Sequence, residues 1–249
     1  MVLFEILTAT FIVSLISFIG VILLGLNKYF LNKLLSLLVS FATGVLLGNF
    51  FIHIAPEAIK ELTSETALIY ALFGFTAFFT IEKLLAWHHH WRRSEDHKTQ
   101  RKQATTMLLL GDGIHNFLDG VIIATSFLTN FSLGIFTTLA IILHEIPQEI
   151  GDFAVLLNGG MKRKYAILFN FISAVFAILG GILTFFFLEN VTGLVKMALP
   201  IAGGGLLYIA SADLIPELHH EKRLFTSFLQ VITLILGIVI MYYLKIFFG

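Results

Sequence analysis

The sequence predicts an all-α membrane protein with eight transmembrane helices in a 3+2+3 inverted-repeat arrangement. Three observations support this fold class. Hydrophobic residues make up 57% of the 249 positions and charged residues only 13%, whereas about a quarter of the residues in soluble domains are charged. Apolar stretches of about 20 residues, the length that crosses a bilayer, recur along the chain. Weak internal sequence similarity relates its two halves, as it does in membrane proteins built from inverted repeats.

Eight apolar windows account for nearly the whole chain, so 1–249 is expected to be a single transmembrane domain. Span 1 has no basic flank and is too long for a signal-peptide core, so it is expected to be retained. The expected parts are helices 1 to 3 in 1–87, a cytoplasmic histidine-containing loop in 88–103, a central helix 4–5 hairpin in 104–157 and helices 6 to 8 in 164–249. The predicted spans 1 to 8 cover 2–26, 33–58, 66–87, 104–128, 132–157, 164–188, 194–217 and 225–248.

The basic residues predict the orientation. Twelve of the sixteen lysines and arginines lie in the 1–2, 3–4, 5–6 and 7–8 loops, which share one face if the spans alternate. Because cytoplasmic loops are enriched in positive charge, both termini are expected outside the cytoplasm. The expected location is the plasma (inner) membrane, in contact with lipid. A homodimer is a possible assembly, and no nucleic-acid partner is expected.

Spans 1 to 3 carry few polar groups before a histidine-rich stretch. Span 1 is assigned a packing role, and span 2 places His53 and Glu57 one helical turn apart. Span 3 is rich in phenylalanine and leads into the polar segment. Its histidines can bind transition metals weakly or belong to a solvated loop whose charge sets the topology, and both interpretations stay open. The histidines are His88, His89, His90 and His97.

Spans 4 and 5 contain two polar motifs within apolar helices. The motif from Gly111 to Gly120 superposes on the motif of span 5, which aligns His115 with His144. Residues four apart lie on one helix face, so each span presents a polar stripe. The stripes contain Asp112, His115, Asn116 and Asp119 on span 4, and His144, Glu145, Gln148, Glu149 and Asp152 on span 5.

Spans 6 to 8 complete the second half of the chain. Span 6 has no carboxylate in its apolar part, and span 8 is apolar apart from its flanks. Span 7 ends with Asp213 and Glu217, and it echoes span 2 when Pro216 is aligned with Pro56. Interfacial and ion-pathway roles are equally open for four residues near the span ends, His53, Glu57, Asp213 and Glu217. Asp112 and Asp152, which extend the polar stripes of spans 4 and 5 by one turn, are further pathway candidates.

The chemistry of the central hairpin favours a metal ion. A carboxylate at mid-bilayer costs about 2.5–3.5 kcal/mol on insertion scales, and spans 4 and 5 contain no lysine or arginine as counter-ion. Mixed imidazole and oxygen ligands favour Zn, Fe, Mn or Co, and the absence of cysteine argues against Cu(I). The ligand set allows two adjacent ion positions: one among His115, Asp119, His144 and Gln148, the other near Asn116 and Glu145, with Glu149 as a further candidate.

The two motifs, Gly-Asp-Gly-Ile-His-Asn-Phe-Leu-Asp-Gly and His-Glu-Ile-Pro-Gln-Glu-Ile-Gly-Asp-Phe, resemble the fourth- and fifth-helix signatures of the ZIP (Zrt-, Irt-like) divalent-metal transporters. The second is similar to the His-Glu-x-Pro-His-Glu form of the LIV-1 branch. The resemblance implies transport of Zn(II), and of Fe(II), Mn(II) or Cd(II), towards the cytoplasm. It implies metal ligands at His115, Asn116, Asp119, His144, Glu145 and Gln148.

Two departures from the family pattern concern a second metal. Gln148 stands where the LIV-1 motif has its second histidine, and span 6 lacks the carboxylate that completes a two-metal centre in some bacterial members. A permanent two-metal site is therefore not expected.

Two other functions compete with transport. An intramembrane zinc-dependent hydrolase would use Glu145 as base, but such a site needs His-Glu-x-x-His and here the second histidine is Gln148. A metal-gated channel or sensor would use the loop histidines. The expectation is that the chain is not an enzyme, with no catalytic residue and no cofactor, and that the divalent metal is its substrate.

Overall fold

The computed structural model describes residues 1–19, 28–90, 97–158, 160–189 and 193–248. All regular structure within these ranges is helical, which confirms the predicted all-α class. The helices are Val2–Ile16, Lys28–Gly48, Ala55–Glu61, Ser64–His90, His97–Thr129, Phe131–Asn158, Arg163–Ala174, Phe176–Glu189, Leu194–Tyr208, Ile215–Leu218 and Leu224–Phe248, with π-helical turns at Asn49–Ile54 and Ile209–Leu214.

Seven helical stretches of the described chain are long and apolar enough to cross a membrane, and they match predicted spans 2 to 8. The N-terminal helix Val2–Ile16 has 15 residues, fewer than the roughly 20 that a span needs, and predicted span 1 continues into residues outside the described ranges. The count of eight spans therefore stays a prediction. Span 6 is made of two helices that meet at Val175.

Helices extend from both sides into the segment predicted as a loop. The helix of span 3 continues to His90, and the helix of span 4 begins at His97. Residues 91–96 lie outside the described part of the chain.

Spans 3 and 8 form the most exposed apolar surfaces. Only 17% of the hydrophobic window of each span is buried within the protein. Large apolar side chains such as Leu72, Phe73 and Phe228 are more than half exposed. Because so much contiguous apolar surface is unfavourable in water, this arrangement agrees with a membrane protein whose outer helices face lipid.

The helices pack as two groups. Span 2 packs on span 8 and span 3 on span 7, whereas the N-terminal helix packs with spans 4, 5 and 6. The two groups meet where span 2 contacts span 5 and where span 7 contacts span 4. The central hairpin of spans 4 and 5 therefore touches the other group along both of its arms.

Two close helix contacts occur at positions that are equivalent when span 2 is aligned with span 7. A side chain at Gly44 of span 2 would overlap the carbonyl oxygen of Leu234 in span 8. At the aligned position in span 7, a side chain at Gly204 would overlap the carbonyl oxygen of Ala71 in span 3. Gly74 against Ile201 and Gly237 against Phe41 form a second such pair of contacts.

The two π-helical turns follow the same alignment of span 2 with span 7. Asn49–Ile54 interrupts span 2, and Ile209–Leu214 interrupts span 7 at the aligned positions. Each turn is followed by a helix with proline at its second residue, Pro56 or Pro216. Proline has no N–H to complete the preceding helical hydrogen-bond ladder, so both spans change their winding at equivalent points.

Spans 4 and 5 form a hairpin whose turn lies between the predicted spans, and only Asn130 separates the two helices. The backbone N–H of Leu133 donates to Asn130 Oδ1 at 2.8 Å, so Asn130 caps the start of span 5. Span 4 also packs backbone to backbone on span 6, where a side chain at Gly120 would overlap the Ala177 carbonyl and one at Gly180 the Phe117 carbonyl. These contacts fix the position of Asp119, the residue before Gly120, relative to span 6.

Candidate metal site

Four predicted ligands meet midway along the hairpin. The side chains are His115 and Asp119 from span 4, and His144 and Glu145 from span 5, with one potential ligand atom of each within 4.8 Å of all the others. On span 4 the two residues lie one turn apart and share a face. On span 5 they are adjacent in sequence, so the longer Glu145 side chain reaches the same point from a neighbouring direction.

The distances suit one tetrahedral ion. The two histidine Nε2 atoms are 3.2 Å apart. From His144 Nε2 the distances are 3.3 Å to Asp119 Oδ2 and 3.6 Å to Glu145 Oε1, and from His115 Nε2 they are 3.8 and 3.5 Å to the same atoms. Ligands about 2.0–2.2 Å from a tetrahedral zinc are about 3.3–3.6 Å from one another. Five of the six distances among the four atoms are therefore close to those of such a shell.

The oxygens at this point lack hydrogen-bond donors. Both carboxylate oxygens of Asp119 and the Oε1 atom of Glu145 are buried without a hydrogen-bond partner. Buried carboxylates are costly unless they are paired or coordinate a metal. The site therefore has the chemistry of a cation site, with two carboxylates and two imidazoles.

His144 is oriented for ligation by its own helix. Its Nδ1 lies 3.3 Å from the carbonyl oxygen of Ala140. Because a carbonyl can only accept, Nδ1 carries the proton in this contact and leaves Nε2 with its lone pair towards Asp119 and His115. A backbone hydrogen bond to the second ring nitrogen is the usual way in which proteins orient a metal-binding histidine.

Asn116 and Asp112 form a separate buried network beside the four ligands. The Asn116 amide donates to Asp112 Oδ1 at 2.9 Å and to the Asp112 carbonyl at 3.1 Å. The Ser173 hydroxyl of span 6 donates to Asp112 Oδ2. Asn116 Oδ1 is buried and has no partner, so Asn116 retains one free ligand atom.

Glu149 contacts span 6 rather than the four-residue cluster. The Asn170 amide donates to Glu149 Oε2, and Glu149 Oε1 is buried without a partner. Asn170 also donates to the backbone carbonyl of Ser17 at 3.3 Å. The sequence shows Asn170 and Ser173 as the polar residues of span 6, but only the packing of span 6 on spans 4 and 5 reveals their partners.

Gln148 and Asp152 lie beside a cavity of about 430 Å³. We name it the inner cavity because it lies at the end of the hairpin predicted to face the cytoplasm. Span 3 contributes Glu82, whose carboxylate accepts a hydrogen bond from Tyr208 of span 7. Neither residue was among the predicted site residues, although Glu82 is an ionisable residue in an apolar span. The polar lining residues are Glu82, Asp112, His115, Gln148, Asp152 and Tyr208.

His53 and Glu57 lie at the opposite end of the hairpin. His53 is buried, with Nε2 3.0 Å from the Met241 carbonyl. Glu57 accepts from Lys60 at 2.7 Å and from Asn130 at 3.3 Å. Neither residue reaches the four-residue cluster. They line a pocket of about 340 Å³ that we name the outer pocket, whose charged and amide-bearing lining residues are His53, Glu57, Lys60, Asn130 and Lys245.

Six of the predicted residues have side chains outside the described part of the protein. Their backbones are helical or part of the π-helical turn of span 7. They are His88, His89, His90, His97, Asp213 and Glu217.

Comparison with known proteins identifies the family. Residues 3–106 and 88–245 match the family described as ZIP Zinc transporter. Zinc transporter YKE4 of Saccharomyces cerevisiae is 33% identical over 215 residues, which cover 76% of this chain and 62% of that protein. Zinc transporter ZIP13 of Pongo abelii is 34% identical over 229 residues, covering 84% of this chain and 66% of that protein.

A third relative agrees with these two. Zinc transporter ZIP13 of Mus musculus is 31% identical over 261 residues, covering 84% of this chain and 70% of that protein. The chain spans about two thirds of the length of these curated relatives. With a family match along nearly all of its residues and a buried histidine–carboxylate cluster between two apolar helices, the chain belongs to the ZIP zinc transporter family.

Proposed function

We propose that this protein transports divalent transition-metal ions, Zn²⁺ foremost, across the membrane towards the cytoplasm. The observation that carries the proposal is the cluster of His115, Asp119, His144 and Glu145, in which five of the six distances between ligand atoms are close to tetrahedral spacing. Zinc favours this geometry and these ligand types. The relatives described above are all named zinc transporters, which points to the same substrate.

Charge supports a divalent ion. Asp119 and Glu145 are buried, and residues 108–153, which hold the apolar parts of spans 4 and 5, contain no lysine or arginine. Two carboxylates in an apolar environment are best balanced by two positive charges. A monovalent ion would leave one of them uncompensated.

One ion is proposed to bind firmly. Asn116, Gln148 and Glu149 complete the set of proposed ligands, but they lie around the four-residue cluster and have other contacts or neutral side chains. The Glu149 carboxylate is engaged by Asn170, and Asn116 by Asp112. A second ion would therefore find weaker ligands than the first.

Alternating access is the proposed mechanism. The inner cavity reaches His115 from one end of the hairpin. Towards the other end, Asn49 of span 2 donates to Thr137 of span 5 at 3.2 Å, and both residues are buried. An ion bound at His144 is thus separated from the outer pocket by packed side chains. This geometry supports a carrier that is open on its inner side.

The internal repeats support a conformational change between inward-open and outward-open states. The π-helical turns and the glycine contacts recur at aligned positions, which supports inverted repeats in a 3+2+3 arrangement with eight spans. Inverted repeats exchange conformations as one helix group moves against the other around a site between them. The group with spans 4, 5 and 6 carries the proposed ligands.

The proposed setting is the plasma (inner) membrane, with both termini outside the cytoplasm, as the distribution of basic residues predicts. The inner cavity, which lines the proposed exit, then faces the loops richest in lysine and arginine. A homodimer in lipid is retained as the assembly to test. Attachment of a reporter to each terminus and its accessibility in intact cells measure the orientation directly.

Zinc uptake into proteoliposomes tests the transport proposal. His144→Ala and Asp119→Ala are expected to reduce the initial rate more than tenfold, because each removes a ligand from a four-ligand shell. His219→Ala, which removes an exposed histidine at the end of span 7, provides the control and should transport as the wild type does. Unchanged uptake in both ligand variants would contradict the proposal.

A further inference from the structure

The outer pocket contains two lysines at a position where a transported cation would pass. It lies between the end of span 2, the tip of the hairpin and the end of span 8. Of its charged residues, Lys60 and Lys245 are positive and Glu57 is negative, so its formal charge is positive when His53 is neutral. The role inferred for these lysines rests on the proposed function.

Lys245 binds a backbone carbonyl in the π-helical turn of span 2. The Lys245 Nζ atom donates to the Ile52 carbonyl oxygen at 2.6 Å. An ammonium group is thus hydrogen-bonded to a carbonyl oxygen, a type of ligand that metal ions also bind.

Lys60 holds the carboxylate of the same pocket. Its Nζ lies 2.7 Å from Glu57 Oε2, while the amide of Asn130 donates to Glu57 Oε1 at 3.3 Å. His53 is engaged as well, through Nε2 and the Met241 carbonyl. Both oxygens of the only carboxylate among the described lining residues are therefore occupied by protein donors.

The inner cavity has the opposite charge. Its described lining residues include Glu82, Asp112 and Asp152 and no lysine or arginine. The inner cavity and the outer pocket also contain equivalent positions of the two repeats. The alignment of span 3 with span 8 that pairs Gly74 with Gly237 also pairs Glu82 with Lys245. Equivalent positions of the two repeats thus carry an anion at the inner end and a cation at the outer end.

We propose that Lys60 and Lys245 are tethered competitors of the transported divalent cation in the outer pocket. Their ammonium groups hold the Glu57 carboxylate and the Ile52 carbonyl until an incoming ion displaces them. The metal then occupies the pocket only at a higher outside metal concentration than it would require if these oxygens had no lysine partner. The lysines set the concentration range of uptake and leave the ligand cluster at His144 unaffected.

Initial rates of zinc uptake by cells, measured against zinc concentration, test this role. Lys245→Met and Lys60→Met are each expected to lower KM about two- to fivefold, the effect of removing one competing contact of a partly exposed charge. Lys245→Arg keeps the charge and should restore the wild-type KM. In roughly 0.5 M salt the differences between variants should shrink, because screening weakens exposed charges.

Lys196→Met is the matched control. Lys196 pairs with Glu61 at 2.6 Å near the same end of span 2, but it is not among the residues that line the outer pocket. The variant removes one positive charge from the same face without freeing an oxygen in the pocket. Its KM should equal that of the wild type, because the variant leaves every oxygen of the outer pocket with its partner.

Three outcomes separate the two proposals. A KM that falls for Lys245→Met and Lys60→Met but not for Lys196→Met supports the competitors. A KM that is unchanged, or that rises, in both pocket variants overturns them while transport itself stands. Wild-type uptake no faster than that of Asp119→Ala overturns the transport proposal, and the inference falls with it.

Discussion

The four clustered side chains could be anticipated from the sequence only in part. Helical spacing brings His115 to Asp119 and aligns the two motifs, so three of the four residues were predicted to share one ion position. Glu145 was assigned to the neighbouring position because it lies about 100 degrees around the helix from His144. Its side chain is long enough to turn back towards His115, at 3.5 Å. Spacing along a helix determines the position of a residue's Cβ atom, but it does not determine the position of the functional group of a flexible side chain.

Gln148 offers a test of ligand strength at a single residue. It lines the inner cavity with His115 and provides a neutral amide where an imidazole would bind zinc more strongly. Gln148→His is therefore expected to raise the zinc affinity of the purified protein about tenfold, and to slow release so that the maximal uptake rate falls. Calorimetric titration with zinc measures the first effect.

Gln148→Asn is the control for that substitution, because it keeps an amide on a shorter side chain. Its zinc affinity should be no higher than that of the wild type. Equal affinities for Gln148→His and the wild type would show that residue 148 does not reach the bound ion.

At the scale of the helices, glycine decides how closely the site is held against span 6. Gly120→Ala would push its new methyl group into the Ala177 carbonyl, and overpacking of this kind costs about 1–3 kcal/mol or more. The variant is expected to unfold at a lower temperature and to bind zinc more weakly, because Asp119 is the preceding residue. Thermal unfolding in detergent, followed by chromatography, measures the loss.

Gly111→Ala supplies the comparison within the same span. Nothing lies within 4 Å of a side chain placed at Gly111, and alanine favours a helix over glycine by up to about 1 kcal/mol. The thermal stability of this variant should equal or exceed that of the wild type. Similar losses in the two variants would contradict the role of the close contact between spans 4 and 6.

The course of the helices was more predictable than their partners. Hydropathy located spans 2 to 8, and Asn130 lies at the turn that the sequence indicates. The π-helical turns were not predicted, because hydropathy does not record the winding of a helix, although the aligned Pro56 and Pro216 mark their ends. The pairing of Asn170 with Glu149 depends on how span 6 docks, which no local pattern specifies.

For the whole molecule, the contact between Asn49 and Thr137 is expected to break during each transport cycle, because it joins the two helix groups. The chain contains no cysteine, so the double variant Asn49→Cys and Thr137→Cys can be cross-linked without interference. Oxidation is expected to reduce zinc uptake by more than about 90%, and reduction to restore it, since a covalent bond prevents the groups from separating.

The pair Ser36→Cys and Gln230→Cys provides the control for the cross-link. These residues are hydrogen-bonded at 2.8 Å between spans 2 and 8, within one helix group. Their cross-linking should leave uptake unchanged. If the Asn49–Thr137 cross-link also leaves uptake unchanged, the two groups do not move apart at this point and alternating access needs another moving part.

The matched π-helical turns also bear on the history of the chain. A π-helical turn holds one residue more than the α-helical turn it replaces, and such turns stand at aligned places in both halves, at Asn49–Ile54 and Ile209–Leu214. Under the proposed inverted-repeat arrangement, a single insertion made before a duplication accounts for both of them.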